Sequence, residues 1–125
     1  MSKLLRIAPI NSVVFVCPPR GSVPPIPPRA PEPMPMVIST PSCLMVCCYP
    51  EQDGETQITL GKGADVDPGY EPSFDGVLET PDGKINVEDV PGEILIESEA
   101  SIPKTRVRVW LSDPKWPEEV RIGLN

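Results

Sequence analysis

Carboxylates and thiols are the side chains best placed to do chemistry in this chain, because it has no histidine. Imidazole is the usual proton shuttle near neutral pH. Without it no Ser-His-Asp or Cys-His nucleophile can be assembled within the chain, nor any zinc site that needs a histidine ligand. Asp65 with Asp67, or Glu97 with Glu99, puts two carboxylates two residues apart. Such spacing is commonplace in loops and on strand faces, so it favours solvated surface over acid/base work. Asp65, Asp67 and Gly69 also resemble part of a calcium loop, in which a hard cation collects several oxygens from a tight turn. Gly69 falls at the fifth position of that pattern instead of the sixth, and Gly76 stands where the closing bidentate glutamate belongs, which excludes an EF-hand.

The thiols are Cys17, Cys43, Cys47 and Cys48. Their spacing lacks the paired C-x-x-C knuckle of structural zinc sites, and strand alternation sends Cys47 and Cys48 to opposite faces. Their number and spread are also poorer than a secreted disulfide framework requires. The expectation is four free, reduced, buried thiols, with a disulfide from Cys17 to Cys43 or Cys47 as the alternative. No metal and no cofactor are expected, and the chain does not read as an enzyme.

Two surface motifs remain. Val23-Pro24-Pro25-Ile26-Pro27-Pro28-Arg29 resembles the proline-rich ligands of SH3 domains. Pro24, Ile26 and Pro27 would form the ridges of a polyproline helix, and Arg29 would meet an acidic pocket. A segment half proline generates P-x-x-P readily, so a stiff loop or edge cover is the simpler reading. Arg106, Arg108 and Arg121, with Trp110 and Trp116, form a basic and aromatic stripe suited to anions. Cross-strand pairing with acids such as Glu97 and Glu99 is the plainer account.

These side chains must be positioned by strands. Prolines number 19 in 125 residues, about three times the usual share, and aromatic residues make up only 5%. The core should therefore rest on Val, Ile, Leu, Met and Cys, with Phe15, Phe74, Trp110 and Trp116 as anchors. Short runs rich in β-branched and alternating residues predict strands at 3–8, 12–17, 36–40, 42–49, 55–61, 74–80, 84–89, 93–99, 105–111 and 120–124. Turn signals separate them, notably Asp53-Gly54, Pro81-Asp82-Gly83 and Pro91-Gly92. No window shows apolar 3.6-residue spacing free of proline and glycine, so no helix is predicted. Nine of the eighteen residues from Pro18 to Pro35 are proline, which predicts a long proline-rich loop. The whole chain, 1–125, reads as one all-β domain, an antiparallel β-sandwich of jelly-roll or immunoglobulin type with 8–10 short strands.

Charge is unevenly placed. The net charge is −7, and residues 51–99 hold fourteen acids against two lysines. Nucleic acid is disfavoured as a partner. Nothing approaches a membrane span, and Arg6, Pro9 and Asn11 interrupt the apolar N-terminus before it could serve as a signal, so a soluble cytoplasmic protein is expected. The stretches FDGVLETPDGKINVEDV and TRVRVWLSDPKWPEEVRIGL resemble the end of small acidic all-β bacterial proteins of the inhibitor or immunity type. That resemblance implies a non-enzymatic protein that binds and neutralises another protein. On this reading Asp65, Asp67, Glu71 and Asp75 meet a basic protein partner through charge complementarity. A self-assembling structural protein, forming a homo-oligomer, and an adaptor using residues 23–29 are the alternatives.

Overall fold

Each strand of this chain alternates an apolar face with a polar or covered one, and the way those faces close on each other sets the architecture. The computed structural model describes residues 2–19, 35–89 and 92–125. Among them are β1 (Lys3–Ile7), β2 (Val13–Cys17), β3 (Val37–Ser39), β4 (Leu44–Cys47), β5 (Thr56–Lys62), α1 (Gly63–Val66), β6 (Phe74–Glu79), β7 (Lys84–Glu88), β8 (Ile94–Glu99), β9 (Lys104–Leu111) and β10 (Glu119–Leu124). All ten predicted strands are present. The proline-rich stretch is described only at its ends, so Pro24, Ile26, Pro27 and Arg29 lie outside the described residues.

The strands form two five-stranded sheets, ordered β1-β5-β10-β9-β6 and β3-β4-β2-β7-β8. Pairing is antiparallel except between β5 and β10, which run parallel with Ile58 opposite Val120 and Leu60 opposite Ile122. This departs from the expected all-antiparallel sheets. Inward-facing Ile58, Leu60, Val107, Val109, Val120 and Ile122 of the first sheet share one core with Val14, Val16, Leu44, Val46, Ile85 and Val87 of the second. Burying each such side chain stabilises the fold by about 1.5–3 kcal/mol.

The second sheet is apolar on its outer face as well. Phe15, Cys17, Cys43 and Met45 are buried there, with Val13, Ile38 and Cys47 packed against them. The register that places Val16 opposite Leu44 brings Cys17 opposite Cys43. The two are joined as a disulfide with Cα atoms 4.5 Å apart, inside the range that a disulfide spans. The expectation of four free thiols is corrected at these two positions; Cys47 and Cys48 are free.

Two short helical turns also depart from the prediction, a 3-10 turn at Ile10–Ser12 and the single turn α1. Both occupy connections. Segments 8–12, 48–55 and 112–118, with residues 89, 92 and 93, emerge at one end of the stacked sheets, which we call the loop end. Turns 40–43, 80–83 and 100–103 emerge at the opposite end, together with α1 and Asn125.

Candidate functional site

Strands β5 and β6 run in the same direction within one sheet but are separated by β10 and β9. Their connection must therefore cross the outer face of that sheet, and residues 63–73 do so as a strap. Close approach makes this possible. A Cβ at Gly123 would lie 2.8 Å from both Gly63 Cα and the Trp110 ring, so glycine at 123 lets α1 settle against β10. Val66 is buried beneath the strap, and its carbonyl accepts a 3.2 Å hydrogen bond from Arg121 Nη1. Trp110 Nε1 donates to the Tyr70 carbonyl at 2.8 Å, and Tyr70 Oη donates to the Leu111 carbonyl at 3.2 Å. The Arg108 guanidinium lies over the Trp110 ring, 5.1 Å from its centroid.

The strap explains where the predicted basic stripe goes. Trp110 is only 1% exposed, and Arg108 packs against the strap. Arg106 forms a two-pronged ion pair with Asp75, at 2.9 and 2.7 Å, and Arg121 pairs with Glu119 of its own strand at 2.6 Å. Glu97 and Glu99 belong to β8 in the other sheet, which corrects the expected pairing. The anion-binding stripe is thus consumed by internal contacts.

The acids behave differently. Asp65, Asp67 and Glu71 are exposed along the strap. Asp67 Oδ1 also accepts the Gly69 N–H at 2.8 Å, closing a local turn in which Gly69 adopts φ 97°. Asp75 is exposed too, but Arg106 holds its carboxyl below the usual carboxylate range by hydrogen bonding and charge. Of the four predicted acids, Asp75 is held in an ion pair, and among the described residues Asp65, Asp67 and Glu71 form none.

The strap leads to the loop end, where segments 48–55 and 112–118, residues 89, 92 and 93 and the strap foot at 70–73 carry eight acids and one lysine, Lys115. Hydrogen bonds tie 48–55 to the turn at Ile10–Ser12 and 112–118 to β5. Glu51 N donates to Ser12 Oγ at 2.9 Å, Glu51 Oε1 accepts Asn11 N at 3.2 Å, and Gln57 N donates to Glu118 O at 2.8 Å. Burial, then the charge of Asp89, pushes the Glu88 carboxyl up at this end. Trp116, expected to anchor the core, is instead 52% exposed here. It lines a groove of about 210 Å³ with Tyr49, Pro50 and Asp53. Tyr49, Glu51, Asp53 and Tyr70 carry no site signal of their own in the sequence, whereas Trp116 has one, an aromatic residue between two prolines in a polar loop, DPKWP.

Burial and neighbouring Cys47 push the Cys48 thiol up to about 12, and burial raises Cys47 as well, so neither is a thiolate near neutral pH. Among the described residues no three of His, Cys, Asp or Glu stand close enough to hold a metal ion. A hollow of about 800 Å³ is an open depression at the end opposite the loops, with Lys3, Lys62 and Glu99 as its charged lining. No helix among the described residues is long and apolar enough to cross a membrane.

By fold and surface this is an all-β protein of two packed, mostly antiparallel sheets with an acidic face. No protein-family model matches the chain, and no curated protein matches it. Among solved structures, it is similar to ComJ from Bacillus subtilis, described as an inhibitor of the DNA degrading activity of NucA. The match has a TM-score of 0.69 at 12% identity and covers 99% of this chain and 96% of that one. The likeness is one of fold, and it agrees with the inhibitor-type resemblance carried by the C-terminal half.

Proposed function

We propose that the chain is a non-enzymatic inhibitor, built as a β-sandwich, that captures a basic nucleic-acid-degrading enzyme and blocks its access to substrate. The observation that carries this reading is the run of exposed carboxylates, Asp65, Asp67 and Glu71, along a strap that is locked to the sheet and leads to an acidic loop end. The full-length fold likeness to a nuclease inhibitor supports it. A nuclease presents cationic side chains where it grips phosphates. A rigid array of carboxylates competes for those cations, steers encounter by charge and suppresses wrong partners. Asp75 contributes less, because Arg106 already satisfies it.

Affinity capture from the native host at low and high salt, with the eluate assayed for DNA degradation, tests the reading. The expected result is a DNA-degrading protein retained at low salt and released as salt rises, with weaker retention by a D65N/D67N/E71Q variant. Capture that ignores salt, or an eluate without nuclease, would contradict it.

A further inference from the structure

We propose that the loop end is the docking surface, that Trp116 is its anchor, and that its occupant is an arginine-rich face of a partner protein. The proposal deepens the inhibitor reading and rests on it only for the partner's being a nuclease. Exposed tryptophan is costly to leave in water, since large aromatics contribute most when buried. Trp116 is nevertheless held out on an ordered loop. Asp113 Oδ1 accepts the N–H groups of Lys115 and Trp116 at 2.9 and 2.8 Å, while Ser112 and Glu119 exchange two further hydrogen bonds at 3.0 Å. A pre-positioned indole loses little freedom on binding, as interface anchors require.

The chemistry of the occupant follows from what surrounds the indole. Lys115 Nζ rests 5.2 Å from the ring centroid, so the ring face already accepts a cation. Asp53 lines the same groove, and Glu51 and Glu118 stand on the flanking segments. A planar guanidinium matches this combination best, because it can stack on an indole while pairing in two-pronged fashion with a carboxylate. Phosphate-bearing ligands are repelled by the same carboxylates. Among the described residues of a second copy, Arg106 and Arg121 are engaged with Asp75 and Glu119, Arg108 packs against the strap and Arg6 bonds Gln57, so a second copy is treated as an outcome of the test.

An oligoarginine peptide is the probe, titrated into the full chain and followed by backbone amide shifts and tryptophan emission. Trp110 is buried, so a change in emission reports Trp116. Shifts centred on residues 49–55 and 112–118 are expected, with Trp116 emission quenched. Trp116→Ala should weaken Kd at least about tenfold, with partial recovery in Trp116→Phe. Shifts that leave residues 49–55 and 112–118 unmoved, absence of binding, or a Kd within about twofold in Trp116→Ala would overturn the proposal. So would concentration-dependent shifts without peptide, which would mark self-association. If the peptide maps here and no nuclease is inhibited, the inhibitor reading falls and this surface stands. Inhibition that survives Trp116→Ala has the opposite meaning.

Discussion

The two ends of the stacked sheets are finished by the same strands but in different ways. At the end bearing turns 80–83 and 100–103, polar groups are turned inward. Thr80 Oγ1 donates to the Ser101 carbonyl at 2.6 Å and lies 2.7 Å from Thr105 Oγ1, which accepts the Ser101 N–H at 3.0 Å. Thr80 and Thr105 are fully buried. Charges around that end balance, with Lys3, Lys62, Lys84 and Lys104 against Asp65, Glu79, Asp82 and Glu99. At the loop end Thr56 and Asp89 are buried as well, but acids dominate and an indole is left in solvent. One end is thus closed by a buried threonine network with balanced charge, the other displays acids and an indole, and the strap runs between them across the outer face of the first sheet.

Substitutions that free the strap should do most damage. Trp110→Ala removes a buried indole, its bond to Tyr70 and the platform for Arg108, and should cost about 3–5 kcal/mol in chemical denaturation. Strap amides should exchange faster in the same variant. Reduction of the Cys17–Cys43 bridge comes next. Releasing a loop with a sequence separation of 26 residues should cost about 3 kcal/mol in the same experiment. A thiol count on the unreduced, denatured chain should find Cys47 and Cys48 alone.

Smaller effects sharpen the contrast between the ends. Thr105→Val leaves the Thr80 hydroxyl and Ser101 N–H short of a partner in a buried site and should cost about 1–3 kcal/mol, without changing partner binding. The comparison would break if Trp116→Ala, at the loop end, cost as much stability as this. The smallest effect belongs to Asp75→Asn. The folded state depresses the Asp75 carboxyl, so the Arg106 pair stabilises above the ordinary carboxylate range and is lost as pH falls through the folded value. Melting curves of wild type and Asp75→Asn should differ slightly at neutral pH and converge in acid.

Much of this arrangement is legible in the sequence because strands announce themselves by alternation. Val107, Val109 and Leu111 face the core as their spacing requires, and SCLMVCCY lies centrally because neither of its faces is polar. Other features depend on which strands become neighbours, and alternation is silent on that. The parallel β5–β10 pair, the Arg106–Asp75 ion pair and the meeting of Cys17 with Cys43 all arise from long-range register. The strap was hidden for a related reason: Gly63 and Gly123 read as ordinary loop and strand glycines until their close approach is seen. Trp116 was misplaced because apolar size suggests burial, whereas its proline-flanked loop carries it into solvent.

Titration of the purified chain into a nuclease captured from its host, with plasmid DNA as substrate at low salt, tests the central claim most directly. The account predicts that DNA degradation stops near one equivalent of inhibitor and returns as salt is raised. Undiminished degradation in the presence of excess chain would contradict it.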